Sequence, residues 1–204
     1  RISNCYYGKK GADRLLVKDA LTYCCIDGPV NITGEPIIPG DKSISHRALI
    51  FSFLAGNACH LRNLNLARDC MHTILALQGM GMEFTWLSNG VDCYRRSWPS
   101  GNYYVYAGNS GTTARLMMGL AAHLQNGSML ISGDKSLRSR PMDRVAVYLR
   151  SMGVAVNYQA VKGYLPLLVG GSSPRSAKHQ VNIAGAQVKT ALMLAGLAVP
   201  GITE

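Results

Sequence analysis

Apolar and polar residues follow two different periods along this chain, and the two periods alternate. Stretches with every second residue apolar predict β-strands, whereas apolar residues three and four positions apart predict helices. The predicted strands are 31–38, 58–65, 82–87, 91–96, 103–106, 128–132, 154–158, 165–169 and 179–183. The predicted helices are 43–55, 67–78, 112–124, 142–151 and 186–199. Such alternation is typical of the α/β class.

The same order of elements, β-α-β-α-β-β, returns along the chain. Met80-Gly81 closes the second helix of one round, and Met152-Gly153 closes the second helix of the next. A third round opens near residue 179 and contains only its first strand and helix when the sequence ends. Repetition at a fixed period indicates stacked structural units. We therefore expect the third unit to be incomplete and the 204 residues to be part of a longer protein.

The first helix of each round is apolar on nearly all sides. The three apolar stretches are 48–55, 116–122 and 191–198. A helix without a polar face is buried all round. The pattern therefore predicts a central bundle of three helices with sheets wrapped around it.

Polar and basic residues precede each of these apolar helices. The first turn of a helix carries unpaired N–H groups and a partial positive charge. Lys42, Arg47, Arg115 and Lys189 add full charges there, and Gly111 leaves room for a ligand to approach the backbone. If the helices are parallel, their N-termini meet and form a site for a small, multiply charged anion.

Composition limits the other classes of function. The formal net charge is +10, but no run of five like charges occurs, and only three Phe and two Trp are present. This pattern is not typical of nucleic-acid binding. The longest apolar stretches are too short for a membrane span of about 20 residues. The first residues show no signal-peptide pattern and the six cysteines form no CxxC pair, so we expect a cytoplasmic protein with reduced thiols and no metal.

Several local features have a plainer interpretation. Gly40-Asp41-Lys42-Ser43 is similar to the end of a phosphate-binding P-loop, but the spacing from Gly34 does not match that motif. Ser43 could be a simple helix N-cap. The basic stretch 133–141 could be a solvated loop, and we interpret all five histidines as structural.

Four segments, taken together, carry a family resemblance. Segments 39–48, 108–116, 133–142 and 186–192 resemble, in order, the signatures of the EPSP synthase (3-phosphoshikimate 1-carboxyvinyltransferase) family. The resemblance covers residues 31–204, which it identifies as a first enolpyruvyl-transferase domain cut in its third repeat. Residues 1–30 form an N-terminal segment that it does not place. The implied fold is an inside-out α/β barrel, with helices inside and sheets outside.

The resemblance also implies a reaction. The enolpyruvyl group of phosphoenolpyruvate passes to the 5-hydroxyl of shikimate 3-phosphate through a tetrahedral intermediate, and phosphate leaves. No metal or organic cofactor is implied. The implied partners are these two anionic substrates and a second domain, in the same chain or in a partner chain, with no nucleic acid or membrane.

Site residues follow from the matched motifs. Lys42 is the implied catalytic residue, in contact with both substrates. The residues implied to bind shikimate 3-phosphate are Lys42, Ser43, Arg47, Gly185, Ala186 and Gln187. Those implied to bind phosphoenolpyruvate are Lys42, Asn109, Gly111, Thr112, Arg140 and Gln187.

This chain departs from the family pattern at Gly185, where the family usually has serine. The missing hydroxyl removes a hydrogen bond to the substrate phosphate, which is worth about 1.5–3 kcal/mol. The resemblance also puts the acid and base groups outside these 204 residues, so we expect the isolated chain to be inactive or nearly so. Three alternatives stay open: a non-catalytic anion-binding relic, one half of a split enzyme, and the related UDP-N-acetylglucosamine enolpyruvyl transferase.

Overall fold

The computed structural model describes residues 14–19, 22–27, 33–35, 38–124, 126–170, 173–182 and 185–204. The chain divides into two compact units, residues 1–38 and 39–204. In the first unit, strands β1 (Arg14–Asp19) and β2 (Thr22–Asp27) form an antiparallel pair in which Arg14 lies opposite Asp27. The position of the domain boundary at residue 31 stays a prediction.

The second unit contains six helices and seven strands among its described residues. The helices are α1 (Lys42–Ala55), α2 (Arg68–Gly79), α3 (Gly111–Leu120), α4 (Lys135–Arg138), α5 (Asp143–Ser151) and α6 (Ala186–Gly196). The strands are β3 (Cys59–Leu61), β4 (Met82–Leu87), β5 (Gly90–Arg95), β6 (Asn102–Tyr106), β7 (Ser128–Ser132), β8 (Val156–Tyr158) and β9 (Leu167–Gly170). The predicted helices and most of the predicted strands are thus confirmed, with shifted ends.

Three strands of each sheet in this unit follow the same order, which confirms the repeat. One sheet runs β3-β5-β4 and the other runs β6-β7-β9-β8. In the first sheet, β5 pairs antiparallel with both β3 and β4. In the second sheet, β9 pairs antiparallel with both β7 and β8. The last strand of each round therefore lies between the two strands that precede it in that round. The parallel pair β6–β7, joined through α3, completes the second sheet. β5 packs against α1, and β7 packs against α3.

The core is centred on α3, which packs most extensively against α6. Eight of its ten residues are buried, and Gly119 lets α3 and α6 approach closely. A Cβ atom at Gly119 would lie 2.3 Å from the carbonyl oxygen of Ala191. Outer helices fill the gaps between neighbouring inner helices: α2 contacts α1 and α3, and α5 contacts α3 and α6.

Burial on all sides is confirmed for α3 and is wrong for α1 and α6. Phe51 on α1 is 42% exposed, Met193 on α6 is 66% exposed, and Leu197, directly after α6, is 63% exposed. These three side chains line a mainly apolar cavity of about 820 Å³. α2 covers the gap between α1 and α3, and α5 covers the gap between α3 and α6. None of the described helices covers the gap between α6 and α1 in this way, so the apolar side chains there stay exposed.

Four predicted elements differ from the structure. The strand at 31–38 lies partly outside the described residues, and its described positions, 33–35 and 38, are not in a strand. Of the predicted strand at 179–183, residue 183 lies outside the described residues, and 179–182 have no strand conformation. The His179 N–H donates to the carbonyl of Glu204, which is not in a strand either. The strand at 58–65 shortens to β3, and the helix at 112–124 ends at residue 120 and continues as one 3₁₀ turn. None of the helices in the described ranges is long and apolar enough to cross a membrane.

Candidate functional site

A cavity of about 450 Å³ lies where the N-terminal ends of α1, α3 and α6 meet. Six of the residues that the family resemblance implies for substrate binding line it, together with Arg115, Arg144 and Val188. The lining residues are Ser43, Arg47, Thr112, Arg115, Arg144, Gly185, Ala186, Gln187 and Val188. The meeting of the three N-termini, expected from the sequence, is therefore confirmed.

Side-chain hydrogen bonds join the three helix ends. Arg47 on α1 donates from Nε and Nη2 to Thr190 Oγ1 on α6, at 3.2 and 2.8 Å. Gln187 on α6 donates from Nε2 to Thr112 Oγ1 on α3, at 2.8 Å. The Oε1 atom of Gln187 accepts from Arg115 Nη1, also at 2.8 Å. Gln187 is thereby held by two residues of α3, which fixes its orientation beside the cavity.

The cavity carries a strong positive charge. Three of its lining residues are arginines, and none of the described lining residues is Asp or Glu. Burial, and the nearby charges of Arg140 and Arg144, lower the pKa of the Arg115 guanidinium. Like charges held together without a carboxylate are costly, so the site is arranged to be neutralised by an anion.

A second group of polar residues lies beside Gly111. Arg140 donates from Nη2 to Asn109 Oδ1 at 2.5 Å, and Asn109 donates from Nδ2 to Asp134 Oδ2 at 2.9 Å. Asp134 also accepts from the Leu137 amide, which caps α4 and lowers the pKa of the Asp134 carboxyl. The segment 133–141, for which a solvated loop was the alternative interpretation, is therefore partly helical and presents Arg140 to the Asn109 loop.

Lys42 lies in an ion pair at the start of α1 and is not among the residues that line the cavity. Its Nζ atom is 2.8 Å from Asp69 Oδ2 at the start of α2. This hydrogen bond and the charge of Asp69 raise the pKa of Lys42, so its side chain stays protonated at neutral pH. Asp69 therefore holds the implied catalytic lysine in position at the start of α1.

A chain of buried polar side chains lies directly beneath these helix ends. The Nδ1 atom of His46 is 2.7 Å from Thr73 Oγ1, which is 2.8 Å from Thr113 Oγ1. Thr113 in turn is hydrogen-bonded to Ser110 Oγ, the N-cap of α3. The network connects the first turns of α1 and α3 through Thr73 of α2. Burial lowers the pKa of His46 to about 4, so the imidazole is neutral at pH 7.

One expectation, for Lys189, and one alternative interpretation, for Ser43, are wrong. Lys189 does not join the anion site but lines the apolar cavity beside Phe51, because it lies about 200° around α6 from Gln187. Ser43 is not the N-cap of α1: Asp41 takes that position and its Oδ1 atom accepts from the Ile44 amide at 2.7 Å. Ser43 is therefore free of the capping role and lines the cavity.

Sequence reasoning missed three contributors: Asp69, Arg144 and Thr190. Asp69 and Thr190 act through hydrogen bonds between residues far apart in the chain, which no local pattern shows. Arg144 did leave a signal, because it lies in the first turn of the predicted helix that follows the basic segment 133–141. Among the residues that the structure covers, no cluster of three or more His, Cys, Asp or Glu could hold a metal ion.

Comparison with solved structures identifies the class of fold. The enolpyruvyl transferase NikO from Streptomyces tendae shares it, with a TM-score of 0.52 at 16% identity, over 80% of this chain and 38% of that one. EPSP synthase from Acinetobacter baumannii is more similar, with a TM-score of 0.72 at 31% identity, over 84% of this chain and 41% of that one. The protein has the α/β fold of the enolpyruvyl transferases.

Sequence comparison then identifies the family. The profile of EPSP synthase (3-phosphoshikimate 1-carboxyvinyltransferase) matches residues 26–204, and the chain belongs to this family. The 3-phosphoshikimate 1-carboxyvinyltransferase of Desulfitobacterium hafniense is 38% identical over 177 residues, 84% of this chain and 40% of the relative. That of Brevibacillus brevis is 38% identical over 176 residues, 85% of this chain and 41% of the relative. The chain thus spans about 40% of the length of these relatives.

Proposed function

We propose that the cavity at the three helix N-termini binds shikimate 3-phosphate as part of an enolpyruvyl transferase. The observation that carries the proposal is the set of three arginines around one cavity with no carboxylate among its described lining residues. Guanidinium groups form paired hydrogen bonds to phosphate and carboxylate, and this ligand carries one of each. Membership of the family supports the choice of this particular anion.

Phosphoenolpyruvate is the proposed second ligand, beside Asn109, Gly111 and Arg140. A Cβ atom at Gly111 would lie 2.6 Å from Arg115 Nη1 and 3.8 Å from Arg140 Nη1, so the lack of a side chain at Gly111 lets both guanidinium groups lie against its backbone. Gln187 lies between this group and the cavity, since it contacts Thr112, the neighbour of Gly111. The two anions would therefore meet on either side of Gln187.

The proposed reaction joins the two ligands without a cofactor. The 5-hydroxyl oxygen of shikimate 3-phosphate attacks C2 of phosphoenolpyruvate as the hydroxyl proton passes to a general base, and C3 takes up a proton from a general acid. Loss of a proton from C3 and of inorganic phosphate from C2 then restores the double bond. Lys42, held protonated by Asp69, neutralises charge as the phosphate bond breaks. The parts of the relatives that this chain does not match supply the remaining groups in this proposal.

Calorimetric titration of the chain with shikimate 3-phosphate tests the proposal. Replacing Arg47 with alanine removes a cavity guanidinium and its contact to Thr190, so we expect the dissociation constant to rise at least about tenfold. Arg175→Ala is the matched control, because Arg175 is exposed and does not line the cavity. Equal affinities for the two variants, or no binding by the folded chain, would contradict the proposal.

A further inference from the structure

Arg144 has no assigned role in the site, although its position gives it one. It belongs to the first turn of α5 and lines the cavity together with Arg47 and Arg115. Its charge acts on the buried Arg115 guanidinium, so the two groups are close enough to repel each other. Two cations held in this way favour a shared anion between them.

Among the described residues, no carboxylate forms an ion pair with Arg144. The ion pairs there involve Lys42, His60, Arg96 and Lys178, and none includes Arg144. Its neighbour Asp143 is engaged elsewhere: the Asp143 carboxylate accepts a hydrogen bond from the Tyr158 hydroxyl and lies against Gly163. The adjacent carboxylate therefore points away from the cavity.

The position of Arg144 relative to Arg115 is also fixed. Arg115 donates from Nη2 to the Pro141 carbonyl at 3.1 Å, immediately before α5 begins. The Met142 amide donates to the Gly163 carbonyl at 2.8 Å, which anchors the same segment from the other side. The start of α5 is thus tied to α3 on one side and to the β8–β9 connection on the other, which holds the backbone of Arg144 beside the cavity.

Gly185, across the same cavity, supplies backbone but no side chain. It is the N-cap residue of α6 and has no side-chain cap hydrogen bond. Its φ of −166° is extended backbone that any residue adopts, and a Cβ atom there would lie 3.9 Å from Val188 Cγ2, an ordinary contact. A serine would therefore fit without strain and would place a hydroxyl at the rim of the cavity.

We propose that Arg144 binds the phosphate group of the cavity ligand and supplies the contact that a hydroxyl at position 185 would otherwise make. This inference rests on the proposed function, since it names a further binding residue of that site. The phosphate would lie between the Arg144 guanidinium and the first turn of α6, where Gly185 lets it approach the backbone. Arg144 then determines how tightly this chain holds a phosphorylated ligand.

A double-mutant cycle between positions 144 and 185 tests the inference. Shikimate 3-phosphate is titrated calorimetrically into the wild-type chain, Arg144→Ala, Gly185→Ser and the double variant, with Arg175→Ala as the charge-matched control. We expect Arg144→Ala to weaken binding about tenfold in the wild-type background, because a charge-assisted contact to phosphate is lost. In the Gly185→Ser background, the same change should cost no more than about threefold, because the serine hydroxyl occupies the same phosphate oxygens.

The outcomes separate this inference from the proposed function. If the chain binds and Arg47→Ala weakens binding, but Arg144→Ala behaves like Arg175→Ala, the role of Arg144 is overturned and the proposed function stands. If Arg144→Ala costs the same with glycine and with serine at position 185, the shared contact is overturned. If no folded variant binds shikimate 3-phosphate, both fail together. Arg144 is exposed, so its alanine variant should fold normally, which circular dichroism verifies.

Discussion

Replacing Gly119 with alanine should lower the free energy of unfolding by about 2–3 kcal/mol. Gly119 lies where α3 crosses α6, and an added Cβ would come within 2.3 Å of the Ala191 carbonyl oxygen and 2.8 Å of its Cα atom. Both are backbone atoms of a fully buried residue of α6, so the clash is relieved only by moving α3 and α6 apart. This outweighs the gain of about 1 kcal/mol in helix propensity that alanine has over glycine. Urea denaturation of the two chains measures the difference.

Gly79→Ala is the matched control for this prediction. Gly79 is the last residue of α2, and a Cβ atom there would meet nothing within 4 Å. The alanine should therefore leave stability unchanged or raise it by up to about 1 kcal/mol. If Gly119→Ala is as stable as Gly79→Ala, α3 and α6 do not approach each other as closely at Gly119 as the structure shows.

Acidification from pH 7 to pH 5 should cost about 2 kcal/mol of stability through His46 alone. The side chain is fully buried, and burial lowers its pKa to about 4. Lys42 and Arg47 lower it further, whereas Asp69 acts in the opposite direction. An unfolded chain takes up the proton near the ordinary pKa of 6.5, so protonation favours unfolding. The stability is fully present above pH 6.5 and is lost as the pH falls towards 4.

His46→Asn isolates this contribution. Asparagine places a hydrogen-bonding atom near the position of Nδ1, so it can keep the contact to Thr73 without titrating in this range. The lowered pKa values of His123 and His179 act in the same direction and are common to both chains. The variant should therefore lose about 2 kcal/mol less than the wild type between pH 7 and pH 5. Parallel losses in urea denaturation at the two pH values would show that His46 is not the group responsible.

Local patterns were sufficient for most of the fold. The β4–β5 hairpin follows from the alternation on both sides of Asn89-Gly90, and its strands match the prediction within one residue. The repeat follows from the element order, and the two sheets show it directly. The predicted strands at 31–38 and 179–183 do not form at their described positions, because strand conformation needs a partner strand that local sequence does not supply.

The candidate site was predictable as a location but only in part as a set of contacts. Capping residues, glycines and basic residues before apolar helices predicted an anion site at the helix N-termini, and the cavity lies there. The same reasoning placed Lys189 in it, and the structure places Lys189 beside Phe51 instead. Because α6 is apolar on all sides, its hydrophobic pattern has no direction and could not show which polar residue faces the cavity.

The sequence by itself determined which segments form helices and strands, that they repeat, and that positive charge gathers at the starts of the central helices. These properties depend on residues close together in the chain, through backbone propensity, capping and side-chain period. Only the tertiary structure decided that Asp69 holds Lys42, that Thr190 holds Arg47, and that Arg144 joins Arg115 at one cavity. Those contacts link residues up to 143 positions apart, and they exist only after packing has set the rotation and spacing of the helices.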